Sequence, residues 1–139
     1  MIRIAVALAL MCTQALAAAP RNGPAVELKD GVYEVNSDWG GGLLAYSNRF
    51  REIEKTGLVV KVKGKCASAC TLVLRNPKAC AGPKSVFGFH RASDPEPQEA
   101  DRATRKMWSE YPTLVREKVG ELTPDMVYLK GTDLLPECK

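Results

Sequence analysis

The sequence is short of several things. It holds a single histidine, His90, and aromatic residues make up only 6% of it. No internal repeat and no low-complexity segment interrupts it, so a repeat array is excluded. Its long apolar run, Ile4 to Leu16, is too short for a membrane anchor and runs directly into a cleavage signal. The formal net charge is +4, with Lys and Arg scattered among the acids and no basic stripe along the chain. With so few aromatics, that distribution argues against a nucleic-acid partner.

What is present begins with an export signal. Arg3 supplies a short basic start, Ile4 to Leu16 an apolar segment, and Ala15-Leu16-Ala17 a small-x-small cleavage site. Residues 1–17 are therefore expected to be a signal peptide, residues 18–25 a loose lead, and residues 26–139 a single domain in the periplasm or outside the cell. Met11 before Cys12 does not match a lipoprotein cleavage box. Beyond the signal stand Cys66, Cys70, Cys80 and Cys138, an even number that favours two disulfides in an exported domain. Three connectivities are open, and the preferred pattern closes one bridge within residues 66–80 and ties down the C-terminus with the other. A four-cysteine metal site is the alternative, less suited to two cysteines separated by three residues and two standing alone. No metal and no cofactor is called for.

The periodicity predicts an α/β chain. Val26 to Leu28 and Val32 to Val35, split by Asp30-Gly31, read as short strands, and Asn36 to Gly42 as a turn ending in three glycines. Leu43 to Thr56 reads as a helix with Leu43, Tyr46, Phe50 and Ile53 on one face, stopped by Gly57. Leu58 to Lys63 reads as a strand that hands over, across Gly64 to Cys66, to an apolar helix from Ala67 to Leu74. Lys84 to Phe89 is a further strand that delivers His90. Strand, glycine turn, helix and strand make a βαβ unit with parallel pairing. The C-terminal part reads as mainly helical: Gln98 to Tyr111, Thr113 to Val119, and a helix start at Thr123-Pro124-Asp125, with Met126 to Leu135 undecided. Trp39 and Trp108 are expected to pack.

In a parallel α/β sheet, ligands bind beyond the C-terminal ends of the strands. The glycine turn, Ser68 and His90 each follow such an end. A serine needs a base to become a nucleophile, and histidine is the usual base near neutral pH. Each residue also has a plain structural reading: a helix cap for Ser68, a strand-end hydrogen bond for His90, a tight turn for the glycines.

The order Asn36-Ser37, Gly41-Gly42, an amphipathic helix, Cys66-Ala67-Ser68-Ala69-Cys70-Thr71 and Gly88-Phe89-His90 resembles the Clp protease/crotonase-like superfamily. It is most similar to that group's small secreted bacterial members, over about residues 32 to 91. The resemblance implies a reduced form of that fold, lacking part of the handle used for ring assembly. It implies Ser68 as nucleophile, His90 as base, and N–H groups of Gly41, Gly42 and Ala69 as the oxyanion hole. The glycine turn is longer here than in the protease, which opens a slip of one residue; Gly41 and Gly42 are the preferred match. The family's catalytic Asp has no direct counterpart. Glu117 lies in its neighbourhood, and Asp94 and Asp125 are the other acids considered.

The leading expectation is thus a secreted serine hydrolase of peptidase type, acting on a peptide or small acyl substrate, with an oligomer as one possible state. A catalytically degenerate binding module on the same fold is the alternative. Crotonase-like acyl-CoA chemistry conflicts with export, and a Ser–Lys dyad would draw on Lys65 or Lys84.

Overall fold

The computed structural model describes residues 26–139. The expected signal peptide and lead, residues 1–25, lie outside the described residues. The first two strands, β1 (Val26–Lys29) and β2 (Val32–Asp38), form an antiparallel hairpin across Asp30-Gly31, both with positive φ. Helix α1 (Leu43–Thr56) follows, and β3 (Val59–Ala67) then pairs parallel with β2, completing the expected βαβ unit. Helix α1 ends at Gly57, whose φ of 68° is the left-handed conformation that glycine adopts without cost.

A 3-10 helix, Ser68–Arg75, leads to β4 (Ala79–Ala81) and β5 (Val86–Phe89), both parallel to β3. The two share one edge of β3: β4 meets Val60 to Val62, and β5 meets Lys65 to Ala67. Helices α2 (Pro97–Glu110) and α3 (Thr113–Val119) precede β6 (Val127–Lys130), which closes β5 antiparallel. The sheet runs β1-β2-β3-β5-β6 with β4 beside β3. Apolar residues of alternate strand positions (Val35, Val60, Val62, Phe87, Phe89) pack with Tyr46 and Phe50 of α1 and Leu72 and Val73 of the 3-10 helix. None of these side chains is more than 1% exposed, which makes this single layer contact the core.

Four expectations are corrected. Asn36 to Asp38 belong to β2 rather than to the glycine turn, and β3 runs on past Lys63 to Ala67, because Lys65 and Cys66 pair with β2 on one side and β5 on the other. The apolar segment after Ala67 is a 3-10 helix. There the Thr71 hydroxyl donates to the Ser68 carbonyl at 2.5 Å, and the Cys66–Cys70 bridge holds the two Cα atoms 5.4 Å apart. Thr123-Pro124-Asp125 starts no helix; the chain enters β6, where cross-strand bonding to the edge of β5 outweighs the local cap signal.

The four cysteines form two disulfides, Cys66–Cys70 and Cys80–Cys138. The second closes a loop of 58 residues and fastens the C-terminus beside β4, where Ala81 also bonds through its backbone to Pro136 and Cys138. Such a closure is worth roughly 2–4 kcal/mol. Among the described residues, no helix is long and apolar enough to cross a membrane.

Candidate functional site

Strand β3 ends at Ala67, and the next residue, Ser68, has a φ of 57°. A non-glycine residue in that region is held there by its surroundings at a cost of order 1–3 kcal/mol. Here the restraints are explicit. The disulfide joins the residues two before and two after it, Cys66 and Cys70, both fully buried. The Ser68 carbonyl accepts from Thr71 Oγ1, which also shares a hydrogen bond of 2.6 Å with the buried Tyr111 hydroxyl at the end of α2. Tyr111 in turn stacks edge-on against Phe89 and Trp108. Burial raises the Tyr111 phenol well above its ordinary range, so it stays a neutral partner.

The glycine turn is drawn up against this elbow. A Cβ on Gly40 would lie 2.7 Å from the Ala67 carbonyl oxygen and from Ser68 Cβ, and 2.8 Å from the Ala69 nitrogen. Gly40 itself has a φ of 83°. Its N–H donates to Asp38 Oδ1 at 2.8 Å, and the Tyr46 hydroxyl donates to the same oxygen at 2.6 Å. Asp38 is 5% exposed, and its Oδ2 has no hydrogen-bond partner among the described residues. Burial and the bond to Asp38 raise the Tyr46 phenol far above its usual value. Nearby Tyr33 is pushed up to about 12 by burial, with Arg49 opposing the shift.

Beyond Gly40, the chain enters α1 with Gly42 as the N-terminal cap residue, its carbonyl accepting from Tyr46 N. Gly41, Gly42, Leu43, Ser68, Ala69 and Asp94 are among the residues lining a cleft of about 210 Å³, whose far wall is Ala103 and Met107 of α2. Exposed backbone N–H groups at a helix N-terminus beside a hydroxyl suit an anion or a developing oxyanion.

The structure thus brings Gly41, Gly42, Ser68 and Ala69 of the expected set onto one cleft. His90 is half-buried directly after β5, two residues before the cleft-lining Ala92. Among the described residues, no hydrogen bond joins Ser68 Oγ to the His90 ring. Of the three acids considered, Asp94 lines the cleft and accepts from Glu96 N. Glu117 is exposed on α3, and Asp125 is exposed before β6. Lys65 faces the rings of Trp39 and Tyr128, while Lys84 lies in a separate cleft with Gly82 and Cys138. Trp39, expected to pack, is 62% exposed.

Sequence reasoning gave Asp38, Tyr46 and Gly40 no role in the site. One signal for the first was available: an Asp two residues before a glycine is a standard side-chain-to-backbone turn. Asp38→Ala removes the acceptor of both bonds and leaves the Tyr46 hydroxyl buried and unpaired. We expect it to cost about 2–3 kcal/mol in urea unfolding.

No protein-family model matches the sequence, and no curated protein sequence matches it. Among solved structures, a point mutant of ClpP1 from Listeria monocytogenes is similar, with a TM-score of 0.51 and 16% identity over 76% of this chain and 69% of that one. The fold is therefore ClpP-like, a mixed α/β architecture around a mostly parallel sheet.

Proposed function

We propose that the chain is a serine hydrolase of peptidase type, akin to the small secreted members of the Clp protease/crotonase-like group. The observation that carries this reading is Ser68 in a left-handed backbone conformation at the end of a parallel strand, sharing a cleft with Gly41, Gly42 and Ala69. In this reading His90 accepts the Ser68 proton as Oγ attacks an acyl carbon. The N–H groups of Gly41, Gly42 and Ala69 receive the oxyanion, and His90 returns the proton to the leaving group. Water then releases the acyl group from Ser68 with His90 again as base. The ClpP-like fold and two disulfides support a peptide or small acyl substrate outside the cytosol.

Fluorophosphonate labelling of the oxidised chain tests it. We expect one covalent adduct, absent in Ser68→Ala and slowed by roughly 10²–10⁴ in His90→Ala. No adduct on the folded wild-type chain, or an unchanged one in Ser68→Ala, would sink the proposal. A binding module on the same fold is the second reading, favoured by the exposed position of Glu117, the acid matched to the third catalytic place. It predicts an unlabelled chain that keeps its ligand after Ser68→Ala.

A further inference from the structure

Strand alternation and strand pairing gather lysines of β3 and β6 on one face of the sheet. On β3 the side chains of Val60, Val62 and Cys66 point into the core, so Lys61, Lys63 and Lys65 share the opposite face of the sheet. Lys130 of β6 joins them, since it pairs with Val86, which pairs with Lys65. Glu34 is an acid on this face, opposite Lys61, and binds Lys63 at 2.7 Å. Tyr128 lies over Gly88 on the same face: a Cβ there would meet its ring at 2.9 Å. The Lys65 ammonium stands 4.2 Å from the Trp39 ring centre and 5.2 Å from that of Tyr128. Both rings are open to solvent, Trp39 at 62% and Tyr128 at 46%.

We infer that this sheet face docks on an anionic lipid bilayer. Lysines are drawn to acidic headgroups, while Trp and Tyr seat their rings at the boundary between headgroup and acyl chain. An acidic peptide would answer the lysines and leave two large rings wet. A single-stranded nucleic acid would stack on ring faces, and here the Lys65 ammonium already sits on a face of each. A bilayer satisfies cations and rings together. The inference does not depend on the hydrolase reading, because Ser68 takes no part in it.

The test places Trp39 in the membrane directly. In a Trp108→Phe background, Trp39 is the remaining tryptophan, and its emission is read with vesicles carrying brominated acyl chains. Phosphatidylglycerol vesicles are expected to quench it, phosphatidylcholine vesicles to leave it unchanged. Quenching should fall with added salt, and the affinity should drop at least about tenfold in Lys61→Glu/Lys65→Glu/Lys130→Glu. Equal quenching by both lipids, no quenching by either, or quenching indifferent to salt overturns the inference. So does titration of Trp39 by polyglutamate or oligothymidine in place of vesicles. Should the triple variant not fold, the lipid contrast and the salt dependence of the unmutated surface decide between these outcomes.

Discussion

Gly64→Ala is expected to be among the most destabilising single substitutions in this chain. A Cβ at that position would lie 1.7 Å from the Asn36 carbonyl oxygen and 2.9 Å from its carbon. Both are backbone atoms, so no rotamer change relieves the contact. The closeness has a cause in the sheet register: Val35 pairs with Val62 and Ser37 with Lys65, so β3 spends an extra residue between the two pairs. That irregularity carries Asp38 opposite Cys66, and so brings the glycine turn to the Ser68 elbow. Separating the strands there should cost about 3 kcal/mol or more and lower the melting temperature by roughly 10 °C or more. Thermal unfolding by circular dichroism checks it. Gly42→Ala is the matched control, since a Cβ there meets nothing within 4 Å. Its stability should stay within about 1 kcal/mol of wild type while the mouth of the cleft changes shape. A stable Gly64→Ala chain would mean that the β2–β3 register is not as described.

Removing the Glu110 carboxylate should come next in size. Its side chain is 8% exposed and binds Arg75 Nη1 at 2.6 Å, Lys106 at 3.0 Å and Arg51 at 3.4 Å, with the Ser47 hydroxyl donating at 2.9 Å. One acid thus joins α1, α2 and the end of the 3-10 helix, and Arg75 also reaches Glu54 of α1. Burial alone would raise the Glu110 pKa, but the bonds and charges from Lys106, Ser47 and Arg51 outweigh it and hold the pKa below its ordinary 4.5. A carboxylate with a lowered folded pKa stabilises fully above its unfolded value and loses that contribution as pH falls through the folded one. Glu110→Gln should therefore flatten the stability profile below about pH 4.5 as well as lower it near neutrality. At neutral pH the variant leaves Arg51 and Lys106 without this carboxylate and Arg75 with Glu54 alone, at an expected cost of about 2–3 kcal/mol. Urea unfolding across the acid range measures both. An unchanged acid limb would show that the network carries little of the stability.

Much of the local structure was legible in the amino-acid sequence. Helix α1 occupies Leu43–Thr56 as the apolar spacing of Tyr46, Phe50 and Ile53 requires, and Gly57 ends it by the conformation glycine alone adopts freely. Thr113–Val119 forms α3 after Pro112, and the disulfides follow the preferred pattern of one local closure and one at the C-terminus. These features depend on local chemistry, which a linear reading contains. The C-terminal segment was misjudged because its local cap signal is weaker than the pull of an unpaired strand edge. That edge belongs to β5, some forty residues earlier in the sequence.

The site divides along the same line. Sequence order by itself determined that a glycine turn, a small-residue elbow at Ser68 and His90 each follow a strand. Only the tertiary structure decided that Ser68 takes a φ of 57°, that Gly40 rather than its neighbours makes the closest approach, and that Asp38 fastens it. It likewise decided that three lysines spaced two apart share a face with Trp39 and Tyr128. The reason is physical: propensity and spacing act within a few residues, whereas register, burial and charge proximity are set by which strands lie side by side.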